Sequence, residues 1–331
     1  MPASPLRLTR TTDMPTPPPH PPHIDELVTI RDWLRYAVSR FTAAGLAYGH
    51  GTSCALDEAA FLILETLHLP IDQLEPWLEA RLTAPERSDV ARIIEARIAT
   101  RQPAPYLTGT AYIRGHRFRV DGRVIVPRSY LGELLEDGLA ALVGDPARIA
   151  RVLDLCTGGG SLAILAALAF PNAVIDAADI SAEALDVARR NVAEYQLASR
   201  VRLMRSDLFA ELSGERYDLI LSNPPYVTDA AVAAFPPEYR AEPNLAHAGG
   251  ADGLDLVRPI LEAAGRHLEP DGHLVVEVGQ ARPALEQAFA QLSFLWLDTA
   301  GSEGEVFALA TAALAAPPRA TKRRRGGTAK P

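Results

Sequence analysis

The sequence predicts an α/β protein: a parallel sheet of about seven strands covered by helices, preceded by a small helical domain and a β-hairpin linker. Three observations carry that prediction. From Arg151 onward, short apolar runs alternate with helical patterns, as strands and helices do when helices cover both faces of a parallel sheet. Before Thr108, apolar residues recur at helical spacing. Between these stretches the period shortens to two around turn dipeptides.

Residues 1–23 are Pro-rich and lack an apolar h-region, so they read as a disordered leader rather than a secretory signal. Residues 24–105 form the helical domain. Leu27, Ile30, Leu34, Ala37 and Phe41 share one helical face; so do Ala59, Leu62, Ile63 and Leu67, and then Val90, Ile93, Ile94 and Ile98. Gly45, Gly49 and Gly51 punctuate it. In the linker, 106–127, Tyr112-Ile113 and Phe118–Val120 flank the Arg114-Gly115 turn, and Asp121-Gly122 turns the chain again before Val124–Val126. The main domain, 128–311, opens its alternation with a strand at Val152–Leu155. A Gly-rich turn leads into Ser161–Phe170, apolar nearly all round and therefore a buried helix. A strand at Val174–Asp179 comes next. Ser181 then caps a helix reaching Tyr195, with Glu183 in its first turn. Strands follow at Val201–Met204 and Tyr217–Ser222, a helix at Leu254–Leu268 and a strand at His273–Val278. Phe294–Leu297 and Val306–Leu309 supply two more strands. Residues 312–331 are a basic tail, and there is no internal repeat.

At 331 residues there is room for about two domains, and a hydrophobic fraction of 48% supports a full core. No apolar run reaches the roughly 18 residues of a membrane span. Cys54 and Cys156 lie far apart with no CxxC, which argues against a disulfide framework or a metal site and fits a reducing cytoplasm. The tail carries six basic residues and no acid, and the leader a net +1; set against the total of −8, this leaves −15 on the body. So acidic a body is a poor general cradle for nucleic acid. The tail, with Lys322-Arg323-Arg324-Arg325, suits weak contact with RNA or simply a solvated end.

Asn223-Pro224-Pro225-Tyr226 is the most informative segment. It follows the buried strand and ends it, because neither proline has an N–H to donate. An amide, rigid carbonyls and an aromatic ring thus meet at a strand's carboxyl end, where open α/β sheets bind ligands. Such a corner can hold a planar –NH₂ group and present its lone pair to an electrophile.

Asp154-Leu155-Cys156-Thr157-Gly158-Gly159-Gly160-Ser161 forms a strand–loop–helix junction suited to close ligand approach. By spacing alone it is ambiguous, since Gly158, Gly160 and Ala163 satisfy the dinucleotide pattern G-x-G-x-x-A. Asp154 tilts the choice toward a cationic ligand without phosphate, such as S-adenosylmethionine. Asp207 is a candidate acceptor for an adenine amino group, with Leu208 against the ring, or else a strand-end turn Asp. Asp179, beside Ile180, is placed to accept ribose hydroxyls in either reading. Cys156 reads as a small loop filler rather than a nucleophile.

With the loop and corner in hand, the chain resembles the class I S-adenosylmethionine-dependent methyltransferases that modify amide or amino nitrogens. Within them it is similar to the protein-glutamine N(5)-methyltransferases of the HemK/PrmC and PrmB kind, over about residues 27–310. Val126-Pro127-Arg128-Ser129 with Gly132-Glu133-Leu134 looks like the PrmB branch. So do Phe41–Leu46, Gly49-His50-Gly51-Thr52, Ala55–Ala59 and Pro105–Gly109. The resemblance implies a Rossmann-like methyltransferase domain and a glutamine in ribosomal large-subunit protein three as substrate. It implies catalytic roles for Asn223, Pro224, Pro225 and Tyr226. It assigns cofactor contacts to Asp154, Cys156, Thr157, Gly158, Gly160, Asp179, Ile180, Asp207, Leu208 and Asn223. Substrate contacts fall to Pro127, Arg128, Asn223 and Tyr226, with Arg128 alternatively in a fold-stabilising ion pair. The chain departs from the pattern at Gly159, where relatives often carry Ser or Thr, and at Tyr130, where proline is usual. The stretch with Glu242, Pro243, Leu245, Ala248-Gly249-Gly250, Asp252 and Gly253 reads as a loop closing over the peptide. His247 within it reads as a solvated side chain.

Four other functions remain to be weighed: glutamine methylation of peptide chain release factors, adenine-amino methylation of nucleic acid, non-catalytic binding of ribosomal RNA, and an NAD-dependent oxidoreductase. The acidic body and the lack of a basic, aromatic-interleaved recognition domain argue against nucleic acid as substrate. The intact corner argues against a non-catalytic factor. No hydride-transfer His or Tyr-Lys pair is apparent for an oxidoreductase.

Overall fold

The computed structural model describes residues 24–314; the leader 1–23 and the basic tail from 315 lie outside the described residues. The chain divides into two compact units. One holds the residues up to Leu46 together with Ala55–Arg101, and the other holds Ala47–Cys54 together with Gln102 onward. The division thus falls after Arg101, and Ala47–Cys54 group with the larger unit.

The first unit consists of helices α1 (Ile30–Ala43), α2 (Ala55–Thr66) and α3 (Ala84–Thr100) with short 3₁₀ turns. α1 begins at a reciprocal cap. The Asp32 N–H donates to Thr29 Oγ1 at 3.2 Å, and the Asp32 carboxylate accepts the Thr29 N–H at 2.8 Å. Its buried stripe is Ile30, Trp33, Ala37 and Phe41. Trp33, absent from the predicted face, takes the inner position in place of the half-buried Leu34. Glu58 of α2 and Arg97 of α3, both fully buried, are joined at 2.7 Å.

The second unit begins with α4 (Ala104–Thr108) and the hairpin β1 (Thr110–Ile113) and β2 (His116–Arg119), which turns at Arg114-Gly115 as predicted. Val124 and Val126 are buried and Ile125 half-buried, but this stretch forms no strand. Then come α5 (Leu131–Glu136), β3 (Arg151–Leu155), α6 (Ser161–Ala169), β4 (Val174–Asp179), α7 (Ala182–Glu194), β5 (Val201–Arg205), β6 (Tyr217–Ser222), α8 (Asp229–Ala233), α9 (Val257–Ala264), β7 (Leu268–Glu277), α10 (Arg282–Ala288), β8 (Leu295–Leu297), β9 (Val306–Ala310) and α11 (Thr311–Leu314). The seven strands after the hairpin form one sheet in the order β5-β4-β3-β6-β7-β9-β8.

Two expectations are corrected. The sheet is mixed, not wholly parallel, because β9 runs antiparallel to both β7 and β8. The link from Leu297 to Val306 contains no helix and is too short for a parallel crossover, so the chain returns directly. The helix expected over Leu254–Leu268 is confined to α9, because Leu268 already pairs with Tyr217 as the first residue of β7.

Alternate residues of each strand enter opposite cores. Val152, Ile175, Leu219 and Val275 pack with α5 and α6; Leu153, Ile220, Leu274 and Val276 pack with α9 and α10. Burial on both faces explains why these strands read as continuous apolar runs. After β3 the chain builds outward through β4 and β5, then crosses back to place β6 on the other side of β3. Strand order therefore reverses between β3 and β6, and the crevice at their carboxyl ends is the place for a ligand.

Candidate active site

The glycine loop and the Asn-Pro-Pro-Tyr corner leave the sheet side by side at that switch point. Leu155 pairs with Ser222, whose hydroxyl donates to the Leu155 carbonyl at 2.9 Å. A cavity of about 340 Å³ opens here, the size of a small-molecule site. Its walls include Cys156, Gly158, Asp179, Ile180, Asp207 and Leu208 on the loop side. Asn223, Pro224, Pro225 and Tyr226 line it as well, with Arg128 and Glu277.

The loop turns through positive φ at Cys156 (61°), Gly158 (53°) and Gly160 (80°). Thr157 N–H donates to Ala178 O at 3.1 Å, and Gly158 N–H donates to Asp179 Oδ2 at 2.8 Å. Asp179 Oδ1 also accepts the Ser181 N–H at 2.9 Å. The Asp179 carboxylate therefore joins the ends of β3 and β4 while still facing the cavity. Burial pushes its pKa up against those hydrogen bonds. Leu208, like Cys156, is a non-glycine residue held at positive φ (47°), a strain that clusters at ligand sites. Burial raises the Cys156 thiol, as befits a filler rather than a nucleophile.

Three residues expected to touch a cofactor do not line the cavity. Asp154 is fully buried beneath the loop, and its carboxylate accepts the Thr157 hydroxyl proton. Burial pushes it up to about 7 despite that bond. Asp154 thus supports the loop from below instead of facing a ligand. Thr157 binds Asp154, and Gly160 starts α6 at the point where a Cβ would lie 3.1 Å from the Ala188 methyl.

Beyond the corner, the chain doubles back beside it. Val227 N–H donates to His247 O at 3.0 Å, and Gly249 N–H donates to Val227 O at 2.8 Å. Glu242, fully buried, is the hub of this stretch. It accepts the Val126 N–H at 2.8 Å and both terminal nitrogens of Arg128 at 2.7 Å. His247 Nε2 approaches it at 3.0 Å and His50 Nε2 at 3.4 Å. Burial would raise the Glu242 pKa, but the Arg128 guanidinium, with the His247 and His50 rings beside it, holds it far below the usual carboxylate range. The expectation of a solvated His247 is corrected: it is 4% exposed, packed edge-on to Phe235 and paired with Glu242. Arg128 forms the ion pair and also lines the cavity. Pro127 is buried and does not line it.

Glu277 was missed from the sequence. It ends β7, 2% exposed, and accepts the Ser129 hydroxyl at 2.6 Å, the Tyr130 N–H at 2.9 Å and the Tyr226 hydroxyl at 2.8 Å. Burial raises its pKa against these bonds. The available signal was an acid closing an apolar strand at the ligand edge of the sheet. Tyr130, one of the two departures noted from sequence, contributes an N–H that proline lacks. At Gly159, the other, a Cβ would meet nothing closer than 3.6 Å, so serine or threonine would also fit.

A family model described as methyltransferase small domain matches residues 135–235. A Bordetella pertussis protein named ribosomal protein uL3 glutamine methyltransferase is 56% identical over 284 residues, covering 86% of this chain and 95% of that protein. One of the same name from Bradyrhizobium diazoefficiens is 56% identical over 295 residues, covering 87% of this chain and 92% of its own. Among solved structures, the ribosomal protein L11 methylase of Lactobacillus delbrueckii subsp. bulgaricus is 24% identical, with a TM-score of 0.39 over 58% of this chain and 83% of that one. The seven-stranded unit is a Rossmann-like methyltransferase domain, and the chain belongs to the family of ribosomal protein uL3 glutamine methyltransferases.

Proposed function

We propose that this chain transfers a methyl group from S-adenosylmethionine to the side-chain amide nitrogen of a glutamine in ribosomal protein uL3, the large-subunit protein three of the sequence reading. One observation carries this reading. At the corner end of the cavity the charged groups already have partners: Arg128 pairs with Glu242, and Glu277 binds Ser129, Tyr130 and Tyr226. The Asn223 amide, in contrast, bonds to no described side chain or backbone group. A neutral carboxamide suits such a place better than a charged acceptor.

The donor half of the cavity fits S-adenosylmethionine better than a pyrophosphate cofactor. Two carboxylates, Asp179 and Asp207, line it, and Arg123 beside them is paired with Asp121 at 2.6 Å. Asp179 is placed to accept ribose hydroxyls and Asp207 an adenine amino group, with Ile180 and Leu208 enclosing the ring. The Cys156–Gly160 loop, supported by Asp154 and Thr157, passes beneath. When bound, S-adenosylmethionine supplies an electrophilic methyl on a cationic sulfur.

The glutamine nitrogen is a poor nucleophile, because its lone pair is delocalised into the carbonyl. The side-chain carbonyl of Asn223 and the backbone carbonyl of Pro224 accept its two N–H bonds and turn the lone pair toward the methyl. Pro225 keeps that backbone rigid, and Tyr226 packs against the amide plane. Alignment of this kind supplies several kcal/mol of the barrier, up to about 7–11 in the best cases. As the new N–C bond forms, the methyl–sulfur bond breaks with its electron pair left on the departing thioether; the amide proton becomes acidic and passes late to water. Arg128, which lines the cavity, shapes the entrance, with the buried Pro127 behind it.

We read the site of action as the cytoplasm, and the basic tail as a weak ribosomal RNA contact. Among the described residues no helix is long and apolar enough to cross a membrane. The test is incubation with labelled S-adenosylmethionine and, in parallel, purified uL3, a release factor and oligonucleotides. Label on a uL3 glutamine alone is expected. Preferential label on the release factor or on adenine would overturn the reading.

A further inference from the structure

We propose that Glu277 is a positioning residue for methyl transfer that acts through Tyr226, whose place is set by one hydrogen bond and a seat of three glycines. The inference rests on the reading of Asn223–Tyr226 as the acceptor corner. Tyr226 donates its hydroxyl proton to Glu277 Oε1 at 2.8 Å. The other carboxylate oxygen is held by the Ser129 hydroxyl at 2.6 Å and the Tyr130 N–H at 2.9 Å, so Glu277 cannot follow a moving phenol.

The ring and main chain of Tyr226 are also closely approached by glycines. A Cβ on Gly279 would lie 2.5 Å from Tyr226 Cε2, and one on Gly249 would lie 2.8 Å from Tyr226 Cα. A Cβ on Gly253 would collide with the Tyr226 carbonyl oxygen. The Gly249–Gly253 run that stood out in the sequence is therefore the seat of Tyr226. The Gly249–Val227 hydrogen bond at 2.8 Å holds that seat in place. Between Tyr226 and Asn223 stand two prolines of fixed φ. Fixing the tyrosine thus restricts where the Asn223 backbone can sit at the cavity.

The test uses the full chain and three variants. Glu277→Leu removes the acceptor and is expected to lower kcat about tenfold or more, the effect of one misplaced contact, with KM for uL3 and Kd for S-adenosylmethionine nearly unchanged. Glu277→Gln keeps one oxygen for the phenol but turns its –NH₂ toward the Tyr130 N–H, so it should restore part of the kcat lost in Glu277→Leu. If Gln is as damaging as Leu, the charge matters rather than the position, and the proposal fails. Should the Leu variant not fold, Tyr226→Phe deletes the same bond from the other end. A fall of about tenfold in kcat supports the proposal, and unchanged kcat overturns it. Should the wild type leave uL3 unmethylated, the functional reading fails instead. Crystal structures of wild type and Glu277→Leu, or of Tyr226→Phe in its place, with S-adenosylmethionine then decide the positioning question without a protein substrate. Displacement of the ring at position 226 by about 1 Å, enough to spoil alignment, supports it. An unmoved ring overturns it.

Discussion

Glu242 and Glu277 grip the same short segment from opposite ends. Glu242 takes the Val126 N–H and the Arg128 guanidinium; immediately after, Glu277 takes the Ser129 hydroxyl and the Tyr130 N–H. One acid comes from the stretch after the corner and the other from the end of β7. The Val126–Tyr130 segment is thereby fastened to both elements that flank the Asn223–Tyr226 corner of the cavity.

That fastening depends on charge balance. Arg128→Met leaves the Glu242 carboxylate buried without its bidentate partner, which is expected to cost about 3–5 kcal/mol of stability. Adding Glu242→Gln removes the orphaned charge and should recover part of the loss. Urea unfolding of the single and double variants measures this. A double variant no more stable than Arg128→Met would contradict the pairing argument.

Asn223→Ala should lower kcat by roughly 10²-fold or more, the scale seen on losing one preorganised polar contact. Kd for S-adenosylmethionine should change far less. Single-turnover methylation of uL3, with calorimetry of cofactor binding, separates the two effects. Wild-type kcat in this variant would exclude the amide-holding mechanism.

Asp179 should behave in the opposite way. Asp179→Ala removes a carboxylate that faces the cavity and ties Gly158 to Ser181. A charge-assisted hydrogen bond is worth about 1.5–3 kcal/mol. Kd for S-adenosylmethionine should therefore rise by about ten- to a hundredfold, with a smaller change in kcat at saturating cofactor. Calorimetry gives the answer, and an unchanged Kd would remove Asp179 from the cofactor site.

Asp154 makes stability depend on pH. Its folded-state pKa is raised to about 7 by burial, whereas an unfolded Asp ionises at about 4. Between those values the folded chain holds a proton that the unfolded chain has lost, so this group's contribution to stability falls as pH rises through the window and levels off above it. Asp154→Asn lacks that loss. Its stability relative to wild type should climb between about pH 4 and 7 by a few kcal/mol. Thermal melts across that range would show the widening gap, and a constant gap would place the titration elsewhere.

Much of this architecture is local in origin and could be read along the chain. Strands such as Val174–Asp179 and Tyr217–Ser222 declare themselves because both faces are buried. Ser181 announces its helix by accepting the Ala184 N–H. Asn223–Tyr226 is legible because two prolines end a strand wherever they occur. The antiparallel course of β9 was overlooked, although the link from Leu297 to Val306, both ends of which were predicted, is too short for a parallel crossover. Trp33 was overlooked for a different reason: a single helical stripe leaves two neighbouring residues to compete for the inward position.

The sequence by itself determined most of the order of strands and helices and set the Asn223–Tyr226 corner at a strand's carboxyl end, because each follows from neighbouring residues. Only the tertiary structure decided the fate of the charges: Glu242 against Arg128 and His247, Glu277 against Ser129 and Tyr226, and Asp154 beneath its loop rather than in the cavity. A carboxylate's role depends on its burial and its partners. Those partners lie more than a hundred residues away for Glu242–Arg128 and Glu277–Ser129, a distance across which no local pattern carries information.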